Sequence, residues 1–349
     1  MTYIHDFFND DLFDENEPYD FPISYEQFVW DIQNSVYGQD EAISDIAYDI
    51  YQYISGSFSG KCIKHNIMIS GPSASGKTEL YRTVKKILKQ YNCPIPVLHV
   101  DISGFSPAGF VGTGLSSIPE RIAAQGSLGY AIVFLDEFDK ILLPLSSSGN
   151  ENFHSALQHE MLSLLEGKEC QSSTKPNLAK MVDTNKTLFI GMGAFTDFRK
   201  QKMTPEKTLG FSATTSQSLE FYDMSMRDLV SVGGAVELVG RFDSLYNFHV
   251  IDDKAFQGLY LKTLEELGKE QDILLKSTKE ACVQFAILAK SEFGCREMKR
   301  MLYQTIRPCL KEIANCDDRI MRYILIREVG KAELRRKKET VDKSIHLVR

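Results

Sequence analysis

Gly71-Pro72-Ser73-Ala74-Ser75-Gly76-Lys77-Thr78 constrains this chain more than any other segment. Its pattern is glycine, four variable residues, then Gly-Lys-Thr. The apolar run Ile67-Met68-Ile69 before it reads as a buried strand. Glu79 to Leu88 after it carries apolar residues at helical spacing. A glycine loop between strand and helix can turn backbone N–H groups inward, next to the partial positive charge of a helix N-terminus. That arrangement suits phosphate oxygens. Lys77 can reach the outer phosphates, and the Thr78 hydroxyl can hold a divalent cation.

About sixty residues on, Ala131-Ile132-Val133-Phe134-Leu135 forms a continuous apolar run. Such a run fits a central parallel strand covered on both faces. It ends in Asp136-Glu137. Two acids there would be costly as core residues, because an unpaired buried charge is expensive. Beside a phosphate loop they have natural tasks: Asp136 to hold Mg²⁺ through water, and Glu137 to polarise the attacking water. Together the two motifs specify a P-loop NTPase.

The 349 residues allow two domains and a sizeable core. No apolar stretch reaches the roughly 18 residues of a membrane span, and the acidic N-terminus does not read as a signal peptide. Seven cysteines (62, 93, 170, 282, 295, 309 and 316) are scattered without a C-x-x-C pair. This argues against a zinc site or a disulfide framework and for a reducing cytoplasm. The net charge is −7, and residues 1–20 carry seven acids and no Lys or Arg, so the remainder is formally neutral. That tail, with aromatics between its acids, reads as an acidic lead-in or an interaction segment. Lys331 to Lys343 reads as the basic, solvated end of a helix. No basic stripe with interleaved aromatics points to nucleic acid.

Patterning predicts helices over 25–56 with a break at Gly38, then alternating strands (66–70, 96–101, 131–135, 187–192) and helices (77–91, 117–127, 153–166). This alternation implies an α/β fold with a parallel sheet wrapped by helices. Residues 199–235 read as loop with short helices. From Asp253 the pattern is helical, broken at Ser277, Gly294 and Pro308, and suggests a smaller, mainly helical domain. The expected divisions are an acidic tail over 1–24, a large nucleotide-binding domain over 25–250 and a small domain over 251–349.

From about Tyr25 to about Ile306 the chain resembles the AAA+ ATPases, and within them the ClpX unfoldases. Ser35-Val36-Tyr37-Gly38-Gln39 resembles the segment in which Val36 and Tyr37 would contact the adenine base. The resemblance implies ATP and Mg²⁺ as ligands, held by Gly71 to Glu79, Asp136 and, from the small domain, Arg296 of Gly294-Cys295-Arg296. Gly109-Phe110-Val111-Gly112 is similar to the pore loop that grips polypeptide in the channel of a ring, with Phe110 where Tyr is usual. Phe138-Asp139-Lys140 and Leu164-Leu165-Glu166-Gly167 follow the same pattern. Val236 to Phe242 resembles the segment carrying the arginine finger. Arg241 would then complete catalysis with Glu137 and Lys77 from the neighbouring subunit. Leu209-Gly210-Phe211 resembles the loop that docks on the ClpP peptidase ring.

There are departures. The basic residues usual in the second pore loop, here Leu145 to Phe153, are missing. The loop near Ser172 to Lys180 keeps only Lys175 and Lys180. The N-terminal zinc-binding domain has no counterpart. No polar residue stands out as a sensor at the end of the 187–192 strand. The resemblance implies a cytoplasmic homo-hexamer that unfolds protein substrates and feeds a ClpP-like peptidase, without nucleic acid or membrane. A stand-alone AAA+ chaperone, a DNA-remodelling AAA+ motor and a nucleotide-binding scaffold remain the alternatives.

Overall fold

The computed structural model describes residues 21–59, 61–107, 114–127, 129–142, 151–171, 180–203, 222–289, 294–314 and 322–336. The chain divides into two compact units, Met1–Val250 and Ile251–Arg349. Among the described residues no helix is long and apolar enough to cross a membrane.

The first unit opens with α1 (Tyr25–Gln33) and α2 (Asp40–Phe58). Ser24 caps α1 by accepting the Gln27 N–H at 3.2 Å. Gly38, at φ +73°, turns the chain between the helices. Along α2 the buried Ile43, Ile46, Ala47, Ile50 and Ile54 recur every three or four residues and form one apolar face.

The elements that follow are β1 (Ile67–Ser70), α3 (Lys77–Gln90), β2 (Val97–Asp101), α4 (Ser117–Ala124), β3 (Ala131–Asp136), α5 (Asp139–Leu142) and α6 (Glu151–Glu166). A short antiparallel ribbon of β4 (Glu169–Gln171) and β5 (Met181–Asp183) leads to β6 (Thr187–Gly193). The unit ends with α7 (Thr196–Met203), α8 (Met226–Ser231), α9 (Val236–Val239) and β7 (Ser244–Asn247).

Five strands form one parallel sheet in the order β2-β3-β6-β1-β7. The four strands read from the sequence are present, and β7 adds a fifth at the edge beside β1. Alternate residues of β3 enter different cores. Val133 and Leu135 join one, and Ile132 and Phe134 join the other. Each fully buried side chain of this size contributes roughly 1.5–3 kcal/mol, so the sheet is a rigid base for what emerges at its carboxyl edge. In open α/β sheets that edge is where ligands bind.

The second unit contains α10 (Asp253–Glu270), β8 (Leu274–Ser277), α11 (Lys279–Ala289), α12 (Gly294–Ile313), β9 (Arg322–Glu328) and β10 (Lys331–Arg336). The helices predominate, as expected, but a three-stranded sheet β10-β9-β8 accompanies them. The basic stretch read as a helix end is β10 in its first part. It pairs antiparallel with β9, half-burying Ala332 and Leu334 while the charged residues between them face water. Pro308 does not break its helix either. It lies inside α12 on the exposed side. Leu302, Ile306, Cys309 and Ile313 are buried along the opposite face, and that packing offsets the missing N–H.

Candidate functional site

The 71–78 loop leaves the carboxyl end of β1 and closes at the N-terminus of α3. Both of its glycines are sterically required. A Cβ on Gly71 would lie 2.6 Å from the Phe248 Cβ, and Gly76 sits at φ +105° with Val36 Cγ1 2.9 Å from where its Cβ would be. Ala74 also adopts a left-handed φ of +62°. That conformation costs a non-glycine residue roughly 1–2 kcal/mol and concentrates at binding sites.

Lys77 is buried, and its Nζ donates to the Gly71 carbonyl at 2.6 Å and the Pro72 carbonyl at 2.8 Å. The ammonium therefore lies over the loop. Ser73 is exposed, whereas Ser75 is buried and its Oγ finds no hydrogen-bond partner among the described residues. A buried hydroxyl without a partner is costly, and an oxygen-rich ligand seated in the loop would supply one. The Glu79 carboxylate lies 3.4 Å from Arg82 on the outer side of α3.

The acidic pair stands beside this loop. Thr78 Oγ1 lies 3.4 Å from Asp136 Oδ2, across 58 residues of sequence. The other carboxylate oxygen accepts the Glu137 N–H at 3.0 Å. His99 Nε2 lies 2.9 Å from Oδ2. Burial alone would raise the Asp136 pKa. The His99 hydrogen bond, the Glu137 N–H and the charges of His99 and Lys77 outweigh it and hold the carboxyl below its ordinary value. Asp136 is thus an anion at neutral pH. Glu137 is exposed and takes the left-handed conformation at φ +57°. A strained, exposed acid at a strand's carboxyl end is suited to meet a substrate.

No group of three or more His, Cys, Asp or Glu forms a metal cage among the described residues. One hydroxyl and one carboxylate leave a divalent ion to complete its shell with water and substrate phosphates, which is how Mg²⁺ is usually held in phosphoryl-transfer sites. The residues present fit that group.

On the flank of the loop, Val36 is buried against Gly76 and Tyr37 is half-buried. Gln39 ties this turn in place. Its amide donates to the Ser75 carbonyl at 3.3 Å and the His249 carbonyl at 2.8 Å, and its oxygen accepts the His249 N–H at 2.9 Å.

Arg241 lies at the other edge of the sheet. Its carbonyl accepts from the Asn66 side chain at 3.0 Å, just before β1 begins. Gly71 lies five residues farther along that strand, roughly 16 Å away at about 3.3 Å per residue. The exposed Arg241 guanidinium pairs with Glu166 Oε1 at 2.5 Å. It is not assembled with its own Lys77 and Glu137.

Arg296 falls in the first turn of α12 in the second unit, and its side chain lies outside the described residues. Gly109, Phe110, Val111 and Gly112, and Leu209, Gly210 and Phe211, lie outside them altogether.

Sequence reasoning missed three residues. His99 touches Asp136. Asn66 holds the Arg241 main chain. The third is Arg199 on α7, which is buried. Its guanidinium donates to Ser70 Oγ at 2.5 Å, to Asn247 Oδ1 at 3.2 Å and to the Tyr222 carbonyl. It fastens the ends of β1 and β7 beneath the loop, and burial pushes its pKa down to about 10 despite Asp223 nearby. Only the polar residue inside an apolar strand hinted at any of these, as in Val97-Leu98-His99-Val100.

Residues 63–245, more than half of the chain, match the family described as AAA domain (Cdc48 subfamily). The chain belongs to the AAA domain family. Among similar proteins, the "ATP-dependent Clp protease ATP-binding subunit ClpX 2" of Wolinella succinogenes is 28% identical over 278 residues, covering 73% of this chain and 68% of the relative. The ClpX subunit of Porphyromonas gingivalis is 28% identical over 279 residues, covering 72% and 66%. The "ATP-dependent clpX-like chaperone, mitochondrial" of Saccharomyces cerevisiae is 25% identical over 334 residues, covering 76% and 62%. The chain thus spans about two thirds of the length of these curated relatives. This AAA+ chain is a nucleotide-binding ATPase similar to ClpX subunits.

Proposed function

We propose that this chain is a ring-forming AAA+ ATPase, a homo-hexamer, that unfolds or remodels proteins by drawing polypeptide through a central pore. The observation that carries the reading is the approach of Thr78 and Asp136 to 3.4 Å beside a glycine loop that only glycines can close, with Glu137 next in line.

In this reading the loop N–H groups and Lys77 bind the phosphates of ATP, and Val36 and Tyr37 flank the base. Thr78 and Asp136 hold Mg²⁺, which would neutralise charge on the transferring phosphoryl group. Glu137 orients the attacking water and takes its proton. Arg241 acts on a neighbouring copy. Its distance from its own Gly71 supports that use in trans, which would make hydrolysis depend on assembly. Arg296 reaches nucleotide from a small domain over 251–349, coupling hydrolysis to the position of the 25–250 domain. Gly109 to Gly112 grip the substrate, with Phe110 as the aromatic contact. The chain acts in the cytoplasm.

Leu209-Gly210-Phe211 docks on a ClpP-like peptidase, a partner supported by the bacterial relatives being Clp protease subunits by name. The yeast relative is named a clpX-like chaperone, a name that fits protein remodelling, and the second reading is a remodeller working without a peptidase.

The test is Glu137→Gln. It removes the proton acceptor and keeps the fold, so ATP should still bind while turnover falls by roughly 10²-fold or more. Equal turnover in variant and wild type would contradict the assignment.

A further inference from the structure

The Asp136 carboxylate is fixed from three sides. Oδ1 accepts the Glu137 N–H at 3.0 Å, and Oδ2 lies 3.4 Å from the Thr78 hydroxyl and 2.9 Å from His99 Nε2. His99 reaches it from the neighbouring strand. In the β2–β3 register His99 stands opposite Phe134, two residues before Asp136. An ionised carboxylate only accepts hydrogen bonds, so the Nε2 proton must be donated to it.

The imidazole is itself held. It lies against the Tyr81 ring, with centroids 4.9 Å apart, and Tyr81 packs in turn on Phe134 at 5.6 Å. Tyr81 stands three residues after Thr78 on α3, so one helix supplies both the hydroxyl and the wall that orients the histidine. Without His99, only the Glu137 N–H and the long 3.4 Å contact of the Thr78 hydroxyl would be left to set the rotation of the carboxylate. With it, Oδ2 is turned toward Thr78. A carboxylate oxygen has two acceptor positions, so Oδ2 can take the imidazole proton and still accept from a metal-bound water.

We propose that His99 is a positioning residue for Asp136, fixing the carboxylate so that Oδ2 faces a divalent cation held at Thr78. The proposal rests on the nucleotide-site reading above. Partners that orient metal-holding groups typically change metal affinity by about 10–100-fold when lost.

The experiment compares binding of a fluorescent ATP analogue to the full chain in Mg²⁺ and in EDTA, for wild type, His99→Leu and His99→Gln. Leucine keeps the bulk and loses the donor, while glutamine restores an N–H. The expected result is that His99→Leu lowers the Mg²⁺-dependent gain in affinity roughly tenfold, with affinity in EDTA unchanged, and that His99→Gln recovers most of it. An unchanged gain in His99→Leu, or an equal loss with and without Mg²⁺, would overturn the proposal and leave the nucleotide site standing. A wild type that binds the analogue with no Mg²⁺-dependent gain would overturn both the role of Asp136 and this one.

Discussion

The Asn66 side-chain amide donates to the Arg241 carbonyl at 3.0 Å, joining the entry of the phosphate-loop strand to the arginine at the far edge of the sheet. Asn66 is buried. Its Oδ1 accepts the Phe189 N–H at 3.2 Å, and its main chain exchanges bonds with Asp243, N–H to Oδ2 at 2.7 Å and carbonyl to N–H at 2.8 Å. One residue therefore fixes β1, β6 and the 241–243 segment together.

Asn66→Ala leaves the Phe189 N–H without its acceptor and frees the Arg241 main chain. Such losses cost about 1–3 kcal/mol. Thermal unfolding should show that loss. Under native conditions hydrolysis should fall several-fold while ATP affinity holds, because Arg241 is displaced and the loop is not. An equal fall in affinity and turnover would place the effect in the phosphate loop instead.

The loop glycines give a second prediction. Gly76→Ala forces a left-handed φ of +105° and a 2.9 Å contact with Val36, and Gly71→Ala meets Phe248 at 2.6 Å. Each should weaken nucleotide binding roughly tenfold or more. Gly104→Ala, with nothing within 4 Å of its Cβ, is the control and should bind as wild type does. Calorimetric titration with ADP checks all three.

Lys64 predicts a pH dependence. Its Nζ donates to the Leu165 carbonyl at 3.0 Å and the Thr184 carbonyl at 3.2 Å, and lies over the Phe189 ring. Burial pushes its pKa down to about 8, against the opposing pull of Asp183 and Asp243. Unfolded, it titrates near the ordinary lysine value of about 10.4. Between those values the unfolded chain binds more protons, so stability rises with pH across that window. Denaturant unfolding of wild type and Lys64→Met should show the wild type gaining about 1–3 kcal/mol relative to the variant from about pH 8 to about pH 10. A gap that does not move with pH would contradict the assignment.

Where the chemistry needs contiguous residues, the sequence was legible. Gly71 to Thr78 had to be adjacent to close a loop, and Asp136-Glu137 had to end an apolar run. The parallel sheet followed from the same runs. His99, Asn66 and Arg199 were not legible, because each works across a long separation. His99 meets Asp136 over 37 residues, Asn66 meets Arg241 over 175, and Arg199 meets Ser70 over 129. Such pairings arise from strand order, and the place of β7 beside β1 has no local signature. In the second unit the charges of Lys331 to Arg336 masked a two-residue alternation at Ala332 and Leu334, which are half-buried and pack against the core of that unit.

If the chain works as a ring, Arg241 serves a neighbouring copy. Steady-state ATP hydrolysis over a range of protein concentrations, with wild type beside Arg241→Ala, tests it most directly. Specific activity should rise with concentration in the wild type and drop by roughly 10²-fold or more in the variant. Wild-type activity that is independent of concentration and matched by the variant would contradict the account.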